Sequence, residues 1–147
     1  MKGLMQDWPL LVHTFIDHAS IHHGDREIIT RKVEGDIHRT NYSEIHSRSR
    51  KFSKALIKIG VKKSDVIGTL AWNTHRHLES WYGITGVGAI YHTLNPRLFM
   101  EQLEYIINHA ENKFIVSDIS FVKILEGLEE KIPNVKGIIF LTDKENM

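Results

Sequence analysis

The chain has 147 residues, 41% of them hydrophobic and 25% charged, with a formal net charge of +1. That is enough polypeptide to bury a core as one domain, and the near-neutral balance gives no electrostatic case for nucleic acid or an anionic membrane. With no cysteine present, disulfides, thiolate catalysis and cysteine-based metal sites are excluded.

The first stretch, MKGLMQDWPLLVHTFIDHAS, is interrupted by Asp7, His13 and Asp17. It offers neither the unbroken apolar run nor the small-residue cleavage site of a secretory signal. Apolar runs elsewhere, such as GIIFL, fall far short of the roughly 20 residues a bilayer span needs, so a cytoplasmic location is expected. Leu11, Phe15, Ala19 and His22 stand at helical spacing and predict a first amphipathic helix over 10–22. REIITRKVEGDIHRTNY reads as a β-hairpin, with Ile28 and Ile29 in one strand, Glu34-Gly35-Asp36 in the turn and Ile37 in the other.

Asn41 followed by Glu44 resembles a capping box. It opens a long helix whose inner face carries Tyr42, Ile45, Ser49, Phe52, Leu56 and Ile59, and which Gly60 terminates. Thereafter the chain alternates: strand 66–72, helix 74–86, strand 88–93, helix 100–111, strand 113–118, helix 119–131 and strand 135–143. Short links between such elements imply an α/β fold, a parallel sheet covered by helices, preceded here by a helix and a β-hairpin. Residues 1–147 show no linker, repeat or low-complexity tract.

Gly83, Gly86 and Gly88 carry, in reverse, the spacing of a dinucleotide fingerprint. A phosphate cradle needs glycine between a strand and the next helix, where the helix supplies amide donors. These glycines end a helix, where free carbonyls and the negative dipole pole repel phosphate. A C-cap and a close helix approach account for them. The loop HTLNPRL sits at the carboxyl edge of a strand, where ligands of parallel sheets lie. His92, Asn95 and Arg97 could reach a ligand there, although Asn95-Pro96 as a plain turn is the simpler reading.

Ten histidines raise a metal hypothesis. His18 and His22, or His75 and His77, supply pairs without an evident third ligand. SRSRKFSK, with Arg48, Arg50, Lys51 and Lys54, reads as a solvated helix face. Trp72, Trp81, Tyr82 and Tyr91 are expected in or beside the core. Gly-x-Ser-x-Gly does not occur.

Three stretches carry a resemblance: TNYSEIHSRSRKFSKALIKIGVKKSDVIGTLAWN, ITGVGAIYHTLNPRL and QLEYIINHAENKFIVSD. In order and spacing, the chain from about residue 10 onward resembles the beginning of an acyl-CoA synthetase of the adenylate-forming superfamily, in the fatty acid–CoA ligase branch. Ser64-Asp65 departs from the glycine-aspartate frequent in that family, a change a turn tolerates.

The resemblance implies a parent enzyme that uses ATP and Mg²⁺ to turn a fatty acid into an acyl-adenylate and then passes the acyl group to coenzyme A. The Thr-Ser-Gly-rich phosphate loop ending Gly-x-Pro-Lys and the Tyr-Gly-x-Thr-Glu motif do not occur in these 147 residues, nor do the ribose-binding aspartate and catalytic lysine. No catalytic, cofactor-binding or metal residue is therefore carried over, and the chain alone is expected to be inactive. Residues 1–147 are expected to form one partial domain whose partner is the remainder of the ligase. The alternative is a stand-alone flavodoxin-like binding or interaction module. A severed lobe should expose an apolar face through which it could self-associate, whereas a free-standing module should be polar outside.

Overall fold

In a computed structural model, residues 3–147 are described, so the first two residues of the N-terminal stretch lie outside the described residues. Helix α1 (His13–His22) leads into strands β1 (Glu27–Arg31) and β2 (Ile37–Asn41). These pair antiparallel, with Glu27 opposite Asn41 and Arg31 opposite Ile37, as the alternating pattern around Gly35 predicts. Next come α2 (Tyr42–Lys58), β3 (Val66–Leu70), α3 (His75–Gly86), β4 (Ile90–Thr93) and α4 (Met100–His109). Strand β5 (Phe114–Asp118), the short α5 (Val122–Glu126) and β6 (Ile138–Leu141) follow.

The later strands form a four-stranded sheet in the order β4-β3-β5-β6, parallel throughout. Side chains alternate across it. Leu70 and Ile115 join Leu94 just after β4, Leu103 and Ile107 of α4, and Phe121, Leu125, Leu128 and Ile132, on one face. Ile67 and Val116 meet Leu56 of α2, Val61, Ile84 of α3 and Ala89 on the other. Each such aliphatic group removed from water contributes roughly 1.5–3 kcal/mol. The expected α/β fold, with its helix-covered parallel sheet behind a helix and a hairpin, is the one observed.

Several details differ from the sequence reading. In α1 the buried residue is Ile16, while Phe15 is 72% exposed. This short helix touches α2 and α3 along a single stripe, set one residue away from the expected one. Ile59 is the C-cap of α2 and is exposed, not buried. The helix expected over 119–131 is broken into a 3₁₀ turn, α5 and a second 3₁₀ turn. The inward spacing of Phe121, Leu125, Leu128 and Ile132 nevertheless survives, because packing holds these residues where Gly127 weakens the helix itself.

Ser64 is in the left-handed region at φ 70°. The turn before β3 therefore does not accept serine as freely as glycine, since a Cβ there crowds the backbone. Apolar side chains face water along the segment before α1, including Leu4, Met5, Trp8 and Leu10, and on Phe99 and Phe140 elsewhere. No helix among the described residues is long and apolar enough to cross a membrane.

Candidate functional site

In an open parallel sheet the ligand crevice lies beyond the carboxyl ends of neighbouring strands whose connections leave in opposite directions. Here those strands are β3 and β5. Asp118, at the end of β5, is wholly buried, and its Oδ2 accepts the Trp72 backbone N–H at 2.6 Å. Burial pushes its carboxyl above the ordinary carboxylate range, with the Trp72 amide opposing. Ser117 Oγ donates to the Leu70 carbonyl at 3.0 Å. The Trp72 indole donates to Ser120 Oγ at 3.2 Å and stands 5.2 Å from the Phe121 ring. The crevice is tied across by the protein's own groups.

Beside it, α3 begins without a cap. Thr74 occupies the N-cap position, yet its side chain accepts no helix amide. Its Oγ1 and the Nδ1 of His75 are buried without a hydrogen-bond partner. Among the described residues no acceptor stands against the backbone N–H of His75, Arg76 or His77, which are groups a helix start leaves open by its geometry. His75 stacks on His38, ring centroids 3.9 Å apart. Burial first, then the charges of His38, Arg76, Arg48 and Lys32, lower its pKa to about 3, so the ring is neutral at ordinary pH.

His77 Nε2 is hydrogen-bonded to the Tyr91 hydroxyl. Burial lowers the His77 pKa against a contact to the Trp72 carbonyl that raises it. Those partners suit a neutral ring that donates from Nδ1 and accepts at Nε2. Burial also raises the Tyr91 hydroxyl above its usual range.

On the other side of the same helix start lies an ionic cluster. Arg76 donates to Glu34 Oε1 at 2.7 Å, both side chains being 9% exposed, and lies 3.8 Å from Asp143. Lys32 bridges Asp36 at 3.0 Å and Asp143 at 3.3 Å. Thr142 Oγ1 donates to Glu34 at 3.3 Å. The cluster fastens the hairpin turn to α3 and to the end of β6. Sequence reading placed Glu34 and Asp36 in the hairpin turn and gave none of these residues an ionic role. The available signal was Arg76 itself, a cation in a first helical turn, where the dipole disfavours it.

The residues that sequence reading did single out are dispersed. A Cβ on Gly83 would stand 2.6 Å from Phe52 Cδ1 and 3.1 Å from the Ser49 carbonyl, so α3 and α2 meet closely there. Gly88 takes the left-handed turn at φ 79°. This geometry is helix packing and helix exit and does not fit a triphosphate, so no step through ATP is derived from it. His92 turns inward, its Nδ1 3.0 Å from Oδ1 of the buried Asn112. Asn95 Oδ1 accepts the Arg97 amide at 3.0 Å, an Asx turn that accounts for Asn95-Pro96.

The His18 and His22 rings lie 4.4 Å apart, tilted by 43°. Among the described residues no group of three or more His, Cys, Asp or Glu side chains could hold a metal ion. Arg48 is paired with Glu79 at 2.5 Å, not simply solvated as expected. Trp72 and Trp81 are 44% and 39% exposed. They stand beside the core, one of the two expected placements, with Trp72 tilted against Phe121 and Trp81 stacked on Tyr82.

Comparison with known proteins shows what the chain is similar to. The profile of a family described as AMP-binding enzyme matches residues 16–146. A 3-methylmercaptopropionyl-CoA ligase of Ruegeria lacuscaerulensis is 43% identical over 141 residues, which are 96% of this chain and 26% of that protein. A medium-chain-fatty-acid–CoA ligase of Ectopseudomonas oleovorans is 39% identical over 96% of this chain and 26% of its own length. The crystal structure of a long-chain-fatty-acid-CoA ligase from Archaeoglobus fulgidus superposes with a TM-score of 0.82 at 20% identity, over 99% of this chain and 30% of that one. The chain thus spans about a quarter of the length of the curated relatives it matches.

Proposed function

This chain belongs to the AMP-binding enzyme family, and from that premise we propose that it is the N-terminal portion of an ATP-dependent acyl-CoA ligase. The intact enzyme would activate a carboxylic acid, a fatty acid foremost, as its adenylate and transfer the acyl group to coenzyme A. One observation carries this reading: 43% identity to a CoA ligase sustained over 96% of the chain. Residues 1–147 then act as one scaffold lobe, whose glycines serve packing and whose partner is the remaining ligase. ATP, Mg²⁺, coenzyme A and the acid belong to that larger assembly, in the cytoplasm.

The exposed apolar side chains before α1 and on Phe99 and Phe140 support a lobe over a polar, free-standing module. They also give the isolated chain a surface for self-association, which sedimentation velocity at rising concentration would register. The direct test of function is fatty-acid-dependent exchange of pyrophosphate into ATP. The 147-residue chain alone is expected to show none. The chain continued by its own downstream coding sequence is expected to show it. Exchange by the short chain, or none by the extended one with any fatty acid, would overturn the proposal.

A further inference from the structure

The basic run of α2 divides between two sides of the helix. Arg48 turns to Glu79, and Lys51 lies with it along a cleft bordered by β6. Arg50 and Lys54, one helical turn apart, instead line a second cleft of about 370 Å³ between α1, α2 and the end of α3, within the size range of small-molecule sites. Both residues are exposed, and among the described residues neither forms an ion pair. Like charges at this spacing repel each other. The carboxylate that lines the cleft, Asp17, is already held by His46 Nε2 at 2.9 Å.

Tyr82 lines the cleft from α3 and is half-buried. Burial raises its hydroxyl above the usual range, so it is a neutral donor. The end of α3 would oppose an anion here if its carbonyls were bare, because Gly86 borders the cleft and a helix C-terminus is the negative pole. They are occupied: Gly83 accepts Ser53 Oγ at 2.7 Å, Ile84 the amides of Val87 and Ala89, and Thr85 that of Gly88. Ile16 is the one aliphatic side chain among the lining residues, so the cleft offers an acyl chain little apolar surface. A monocarboxylate would bring one charge to two cations. A dianion matches both, and a guanidinium forks onto two oxygens of a phosphate.

From this we infer that the cleft binds a phosphate dianion, free or as the monoester of a small polar molecule, clamped between Arg50 and Lys54 and hydrogen-bonded by the Tyr82 hydroxyl. The site uses none of the residues at the carboxyl edge of the sheet and requires neither ATP nor catalysis, so it goes beyond the ligase reading.

The test titrates the ¹⁵N-labelled 147-residue chain at about pH 8, where a phosphate monoester is a dianion, and at fixed ionic strength. The probes are inorganic phosphate, glycerol phosphate and acetate. Either phosphate is expected to shift the Arg50, Ser53 and Lys54 amide resonances saturably, with a Kd on the order of 1 mM. Acetate should leave those amides in place. Arg50→Gln and Lys54→Gln should each weaken phosphate binding by roughly tenfold, and Arg50→Lys should recover only part of the loss, because an ammonium lacks the fork. Lys51→Gln removes the same charge from the side of α2 that faces β6 and should change affinity by less than about twofold. The substituted residues are exposed, and a dispersed spectrum of each variant verifies its fold. Tighter binding of glycerol phosphate identifies an organic monoester and tighter binding of inorganic phosphate the free ion; either order supports the site. Unmoved amides, an equal response to acetate, or an equal loss in Lys51→Gln would each overturn the assignment. Pyrophosphate exchange plays no part in the readout, so failure here leaves the ligase reading standing, and the reverse.

Discussion

Two helices of this chain begin in opposite ways. At the start of α2, Asn41 Oδ1 accepts the Glu44 amide at 2.9 Å. The Glu44 carboxylate does not reach back to the cap backbone as a full capping box would, but takes the Thr40 hydroxyl at 2.5 Å. At the start of α3, Thr74 could do what Asn41 does, yet it leaves its hydroxyl and the helix amides unmatched. The first arrangement is local and complete. The second is held by distant residues and keeps its donors open. A helix start that caps itself contributes stability locally, and one that does not must draw its stability from distant contacts.

The largest effect that would break this contrast lies at Arg76. If α3 depends on long-range ion pairing for its position, Arg76→Ala leaves the Glu34 carboxylate, 9% exposed, buried without its cation. A loss of about 3 kcal/mol or more is expected in urea denaturation. A loss under about 1 kcal/mol would show that the cluster is ornamental to α3.

Next comes pH. His75 has a folded-state pKa lowered to about 3 against about 6.5 when unfolded. The unfolded chain therefore binds a proton that the folded chain refuses. Full stability from this group is present above pH 6.5 and is progressively lost as pH falls toward 3, by at most about 1.4 kcal/mol per pH unit. His75→Gln should flatten that slope, measured as the urea midpoint at pH 7, 6 and 5.

The caps themselves give smaller effects. Asn41→Ala should cost about 1 kcal/mol, whereas Thr74→Ala should change stability by no more than a few tenths, having no cap bond to lose. Thr74→Asp supplies the missing acceptor and a charge favourable to the dipole. It should stabilise the chain by about 0.5–1 kcal/mol, read as a rise in the urea midpoint. A comparably small effect belongs to the turn that delivers β3 toward α3. Ser64→Gly relieves a left-handed Cβ at φ 70° and should add about 0.5 kcal/mol net of the glycine's greater unfolded-chain entropy, read as a small rise in thermal midpoint.

The same contrast explains how much was legible beforehand. Asn41, Glu44 and the apolar faces of α2 and α4 act within a few residues of themselves, so period and cap chemistry reveal them. The four-stranded parallel sheet followed for the same reason, from the alternation of strand and helix. The features at the carboxyl edge did not. Asp118 matters because Trp72 lies 46 positions away, and Glu34 because Arg76 lies 42 away. No window of sequence contains both members of either pair. Thr74 stands where the helical pattern starts, and nothing in its neighbours signals that its hydroxyl leaves the helix uncapped. Spacing alone turns Phe15 and Ile59 inward, but the contact stripe of α1 runs one residue away through Ile16, and Ile59 lies past the last turn of α2.

The bridge from Lys32 to Asp143 spans 111 positions of chain, and that from Glu34 to Thr142 spans 108. Contacts of such separation are the last to be rewarded during folding, because loop closure must precede them. During synthesis the β1–β2 ribbon emerges early, with Glu34 looking for a cation and a hydroxyl. Arg76 is made some forty residues later, and Thr142 and Asp143 far later still. The ribbon therefore completes its contacts only after the residues following β6 have been made.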